Sequence, residues 1–147
     1  MKFGFLSYEA ALKSMPDYTL AQKKLADLKA QYQTEAKRVE DEFNRKYEEF
    51  LEGQREFPKT ILQKRQTELQ ELMTRNVAFK EESRKQLAAA EREALAPLKI
   101  HLAETVAQIA TERGLALVVN TDSDACPYIN PDWGENLNEL VISSLAK

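Results

Sequence analysis

Glycine and proline are rationed in this chain, and they mark where its helices stop. Gly4, Gly53, Gly114 and Gly134 are the only glycines, and Pro16, Pro58, Pro97, Pro127 and Pro131 the only prolines. Between Pro16 and Gly114 the chain is rich in Ala, Leu, Gln, Glu, Lys and Arg, all good helix formers. Near the middle it is broken by Gly53-Gln54-Arg55-Glu56-Phe57-Pro58. This predicts two long helices folded back on each other. The first starts near Pro16-Asp17, where proline is tolerated in the first turn, and ends near Glu52, with Gly53 as its stop. The second starts near Pro58 and ends near Arg113, with Gly114 as its stop and an internal kink at Pro97.

The apolar spacing supports a paired seam. Tyr18, Ala21, Leu25, Leu28, Tyr32, Ala36, Val39, Phe43, Tyr47 and Phe50 recur at threes and fours, as a coiled-coil seam requires. An antiparallel pairing about residues 55–56 sets Phe50 against Leu62 and Phe43 against Leu69. It sets Val39 against Leu72, Tyr32 against Phe79 and Leu25 against Leu87. Tyr47 with Arg65, Ala36 with Asn76 and Leu28 with Ser83 are its mismatched layers.

Composition restricts function. The 147 residues carry 21 basic and 24 acidic side chains, a net charge of -3. Residues 17–93 hold 16 of each sign, so the helical arm is electrically balanced and nucleic acid is not an expected partner. No apolar run is long enough to span a membrane. No glycine-rich phosphate loop is present, and no cofactor or metal is expected. His101 and Cys126, each the only one of its kind, read as structural residues. Asn120, Asp122 and Asp124 lack the glycine and terminal glutamate of a calcium loop and read as a turn. Trp133 reads as a packing residue or loop anchor. An enzyme is not expected.

The ends of the chain supply a small β/α part. Phe3–Leu6 and Leu115–Val119 are strand candidates, and Cys126–Ile129 is a third. Ser7 suits the cap of a short helix, Tyr8–Ser14. Residues 130–134 read as a loop, and Asn136 with Glu139 as a capping-box variant ahead of a closing helix. Three short strands cannot cover their own edges, so the sheet is expected to be shared with other copies. The expected division is a discontinuous head, 1–16 with 97–147, and an arm, 17–96, with its tip near 53–58. Apolar residues left over from the seam, Leu51, Phe57, Ile61, Met73 and Val77, are candidates for client binding.

The order of these parts resembles the Skp/OmpH family of periplasmic chaperones. The resemblance rests on the opening strand with Tyr8-Glu9-Ala10-Ala11-Leu12 and Pro16, and on the charged hairpin from Asp17 to Ala96. It continues with Pro97, the stretch Glu112-Arg113-Gly114-Leu115-Ala116-Leu117-Val118-Val119-Asn120, and the closing helix from Leu137. It implies a mainly α fold with a small β part: a long antiparallel coiled-coil hairpin on a head that forms a homotrimer through a shared β-barrel. Phe3, Phe5, Leu115, Leu117 and Val119 are then the expected trimer interface. It also implies an ATP-independent holdase that keeps unfolded outer-membrane proteins in a cavity between three arms, located in the periplasm. Well-known members are strongly basic, whereas this chain has pI ≈ 5.4, so no lipid site is carried over. The alternatives are a passive trimeric scaffold without client binding and a prefoldin-like arm. The latter fits less well because the strands here lie at both ends of the chain.

Overall fold

The structure is a computed structural model and describes residues 2–147. Its elements are β1 (Phe3–Leu6), α1 (Tyr8–Ser14), α2 (Pro16–Gly53), α3 (Lys59–Glu112), β2 (Val118–Asn120), β3 (Gly134–Asn136) and α4 (Asn138–Leu145). They form two compact units, one from the residues up to Lys24 and from Glu91 onward, the other Leu25–Ala90. The long helices α2 and α3 contribute to both.

Each helix end has a local cause. Met15 separates α1 from α2 because it precedes Pro16 and is pushed to extended backbone (ψ 131). Its N–H still reaches the Leu12 carbonyl, 3.3 Å away. At the end of α3, Gly114 takes the left-handed conformation (φ 66). The Gly114 and Leu115 N–H groups then turn back onto the carbonyls of Thr111 (3.2 Å) and Ala110 (2.9 Å), a Schellman closure. The end of α2 works differently. Gly53 has no positive φ; the ring of Phe57 lies on it, so an added Cβ would sit 2.6 Å from the ring edge. A side chain there would have to displace that ring. Pro97 lies inside α3 at an exposed position, where water can solvate the carbonyl that its missing N–H leaves free.

In the first unit the sheet order is β2-β1-β3, with both pairings parallel. Phe5 is opposite Val119 on one side and Asn136 on the other. The ladder extends past the strand ends through Ala116 N–H to Lys2 (2.8 Å), Thr121 N–H to Leu6 (3.0 Å) and Leu137 N–H to Phe5 (2.9 Å). Two strand expectations need correction. β2 starts only at Val118: the helix closure takes the Leu115 N–H, while the Ala116 N–H and the Leu117 carbonyl bond to Lys2 and to Gly4 of β1 ahead of the strand. Cys126–Ile129 is irregular, and the third strand is Gly134–Asn136, where the sequence predicts the end of a loop at Gly134 and a helix cap at Asn136. Gly134 suits that place because the rings of Phe3 and Phe5 cover it; a Cβ would be 2.5 Å from the Phe3 ring.

The core of this unit is Leu6, Ala11, Leu12, Met15, Ala21, Leu95, Leu98, Leu102, Leu137, Val141 and Leu145. Leu102, Leu137 and Val141 are completely buried. Buried Thr105 returns its hydroxyl to the His101 carbonyl (2.8 Å), so burial leaves no polar group unpaired there.

A polar knot joins the C-terminal ends of β1 and β2 to the starts of α1 and α4. Ser7 and Asn138 exchange two hydrogen bonds, Ser7 N–H to Asn138 Oδ1 (2.9 Å) and Asn138 Nδ2 to the Ser7 carbonyl (3.2 Å). Ser7 caps α1 through the Ala10 N–H, as its sequence position predicts. The same hydroxyl donates to Asp122 Oδ1 (2.6 Å), and the Glu9 N–H donates to Asp122 Oδ2 (2.7 Å). Asn120 Oδ1 accepts from the Tyr8 N–H. α4 has no side-chain cap of the capping-box type; Asn136 Oδ1 instead accepts from the Asn138 N–H.

Two outcomes follow. Gly114→Ala forces a left-handed alanine with no steric conflict nearby, so chemical denaturation should read a loss of about 1 kcal/mol. A neutral result would mean that the helix closure carries no strain. Second, the Ser7 hydroxyl and then the Glu9 N–H hold the Asp122 carboxyl below its ordinary value. A depressed carboxyl contributes stability above its unfolded pKa and loses it as pH falls through the folded one. Asp122→Asn should therefore destabilise at neutral pH, with the gap to the parent chain closing on acidification below the ordinary carboxylate range. A gap independent of pH would refute the role given to the charge.

Candidate functional site

The unit Leu25–Ala90 shows how α2 and α3 meet and what they leave uncovered. Tyr32 of α2 packs against Phe79 of α3, with ring centroids 6.1 Å apart. Phe50 and Leu69 line one small cavity with Lys46, Glu49, Phe57, Arg65 and Glu68. The polar residues of the seam are satisfied within it. Asn76 Nδ2 donates to the Val39 carbonyl (3.3 Å), and buried Ser83 donates to the Phe79 carbonyl one turn back (2.7 Å). The cavity measures 80 Å³, well under the roughly 300 Å³ of a small-molecule site. It is a packing gap.

The charges of this unit are balanced in number, and some of them pair along their own helix. Arg38 bridges Glu35 (2.7 Å) and Glu42 (3.7 Å), Lys37 bridges Asp41 (3.3 Å), and Arg84 bridges Glu81 (2.5 Å). Hydrogen bonds from Arg38 and Arg84 hold Glu35 and Glu81 below their ordinary values. Pairs of this kind at one-turn spacing are solvated and contribute little to stability. They leave no strong single-sign field.

Against that neutral background, four of the five leftover apolar residues stand open. Leu51 is 46% exposed, Ile61 42%, Met73 53% and Val77 63%. Met73 and Val77 are one turn apart on α3, so they share a face. Phe57 does not join them. Its ring is folded onto Gly53, and the Arg65 guanidinium lies 5.8 Å from the ring centroid. Phe57 closes the turn between α2 and α3. Tyr47 is open instead, at 45% exposure, and stacks on Phe43 (6.0 Å, 10°). Its expected seam partner, Arg65, signals this, because an arginine opposite leaves the ring without apolar cover.

A second surface lies on the sheet of the other unit. Along β1, Gly4 and Leu6 are buried toward the core, while Phe3 and Phe5 face the opposite side and are only half-buried. Val119 is opposite Phe5 in register and shares its face. Leu117, just before β2, is 50% exposed. Leu115 belongs to the other side: its Cδ1 would lie 2.9 Å from a Cβ at Gly4, and it packs on the chain's own core. Of the five residues expected at a shared interface, Phe3, Phe5, Leu117 and Val119 lie off the core, and Leu115 is inward.

Residues with chemical potential are not assembled into a reactive centre. His101 is exposed. The Cys126 thiol, half-buried in the loop before β3, is 3.6 Å from the Tyr128 carbonyl. Asn120 and Asp122 are turned onto the start of α1. Trp133 is not a packing residue; it is 78% exposed. Among the described residues, no group of three His, Cys, Asp or Glu is placed to hold a metal ion. Nor is any helix among the described residues long and apolar enough to cross a membrane.

A search of curated proteins finds no match to this chain. Among solved structures, the fold is similar to the crystal structure of a candidate OmpH-like outer membrane chaperone from Caulobacter crescentus CB15. The TM-score is 0.79, over 97% of this chain and 82% of that one, at 15% sequence identity. At that identity the likeness is one of fold. A family profile described as outer membrane protein (OmpH-like) matches residues 2–145, and the chain therefore belongs to the OmpH-like family.

Proposed function

We propose that the protein is an ATP-independent holdase. Three copies join through their sheets, and the helical hairpins enclose a cavity that keeps unfolded outer-membrane proteins from aggregating. Its place of action is the periplasm. The observation that carries this reading is the set of open apolar side chains, Leu51, Ile61, Met73 and Val77, on a helical surface whose charges are balanced in number. An unfolded membrane protein presents apolar side chains without fixed geometry. Scattered apolar contacts, one of them a flexible methionine, suit that partner better than a shaped pocket. No single hairpin needs a tight site, because three around one cavity raise the effective concentration of contacts. The joining surface in this reading is the sheet side that bears Phe3, Phe5, Leu117 and Val119.

Two experiments test the parts separately. A chain carrying Leu51→Ser, Ile61→Ser, Met73→Ser and Val77→Ser should keep its fold and mass. It should lose most of its ability to suppress aggregation of an unfolded β-barrel protein, followed by light scattering at stoichiometric trimer. Undiminished protection would overturn the assignment of these residues. Protection by neither chain at any ratio would favour a passive trimeric scaffold.

Assembly is read by sedimentation. Val119→Asp places a charge on the sheet side away from the core and should shift the mass toward monomer while the helical signal persists. Leu115→Ala should instead lower the unfolding temperature with the mass unchanged. Trimers formed by Val119→Asp would exclude this sheet side as the interface.

A further inference from the structure

The segment between α3 and the C-terminus has a composition unlike the rest of the chain. From Gly114 to Ala146 there is no Lys, Arg or His, while Asp122, Asp124, Asp132, Glu135 and Glu139 are acidic. Two of these carboxylates are engaged. Asp122 accepts from Ser7 and Glu9, and Glu135 is bridged by Arg113. Asp124, Asp132 and Glu139 have no ion pair among the described residues.

The same segment holds the two most exposed large apolar side chains, Tyr128 at 76% and Trp133 at 78%. They are not on a slack loop. The Asn130 carbonyl accepts from the Trp133 and Gly134 N–H groups (3.1 and 3.2 Å), and Asn130 Oδ1 accepts from Asp132 N–H (3.0 Å). Pro127 and Pro131 restrict the backbone further. Trp133 immediately precedes β3, whose first residue, Gly134, pairs with Phe3. Two exposed aromatic rings thus share one short segment with Asp124 and Asp132, which have no ion pair among the described residues. Exposed aromatics of this kind are typical anchors of binding surfaces.

We propose that this loop, residues 121–133, is a docking surface for an extended cationic peptide segment. Charge complementarity selects the occupant. The faces of Tyr and Trp attract guanidinium and ammonium groups, and Asp124 and Asp132 add attraction of the same sign. An acidic segment is repelled by both. This surface lies apart from the open residues of Leu25–Ala90, and the proposal does not depend on the holdase reading.

Trp133 is the only tryptophan, so its fluorescence reports the surface directly. The full-length chain is titrated with an unstructured peptide of alternating Arg and Gly, and with a Glu-Gly peptide of the same length. The expected result is a saturable blue shift with the Arg peptide alone, weakened by added salt. In an Asp124→Asn, Asp132→Asn variant that unfolds like the parent, half-saturation should move up by about tenfold. No shift, an equal response to both peptides, or an unchanged half-saturation in the variant would overturn the proposal. It would also fall if the emission were already blue-shifted without peptide and moved on dilution of the protein, since another copy would then cover the surface. Should the variant unfold, insensitivity of the parent's shift to salt would overturn it equally.

Discussion

The first unit depends on a four-residue strand that must find both of its neighbours far along the chain. β1 pairs with β2 and β3, and the contacts around Ser7 and Tyr8 span 112 to 131 positions. Each closure has the entropic cost of a long loop, although that cost grows only slowly with length. What offsets it is concentrated in a small volume. Gly4 admits Leu115 and Leu137 against the backbone of β1, and Leu137 is completely buried as a result. The Ser7–Asn138 exchange and the Asp122 cap then satisfy backbone donors at the start of α1 that would otherwise have no partner. Strand pairing, core and helix caps therefore stand or fall together, and removing any one exposes polar groups in the other two.

Three of the four glycines are explained by space and one by backbone angle. Gly4, Gly53 and Gly134 each have a side chain where a Cβ would go, whereas Gly114 has none within reach and a φ of 66. This difference decides what was legible in the sequence. The helices were, because their apolar spacing and punctuation are local signals. Gly114 was, because a glycine after the last periodic residue is a standard helix stop. β3 was not. Gly134-Glu135-Asn136 has no β-branched or aromatic residue. It is a strand because Phe3, more than a hundred positions away, needs a bare backbone to lie on.

The candidate surfaces divide along the same line. Leu51, Ile61, Met73 and Val77 could be identified as open by subtraction from the seam, since helical periodicity fixes which side of a helix each residue occupies. Phe57 could not, because the turn folds its ring back onto Gly53, and turn geometry follows no period. Leu115 faces the chain's own core, because the helix closure at Gly114 absorbs its N–H and delays the start of β2. Simple alternation from Leu115 to Val119 fails once the first of those residues is still finishing a helix. Composition alone leaves Trp133 as a packing residue or a loop anchor, since tryptophans are highly buried on average; in this chain its ring is exposed.

Magnitudes explain why a holdase of the proposed kind would need neither a pocket nor ATP. An apolar side chain that is half exposed regains about 1 kcal/mol when a partner covers it. Four such residues per hairpin give a few kcal/mol, which corresponds to millimolar binding at best once the ordering of a client is subtracted. A single hairpin would then hold almost nothing. Three hairpins around one cavity make the second and third contacts intramolecular, and avidity supplies what each surface lacks. The same arithmetic governs release. In such a holdase each contact would break on its own without a large barrier, so a client would leave once a better-matched surface took over its apolar segments one by one. Balanced surface charge helps, because a strongly basic or acidic arm would add a long-range attraction that persists after the apolar contacts have gone.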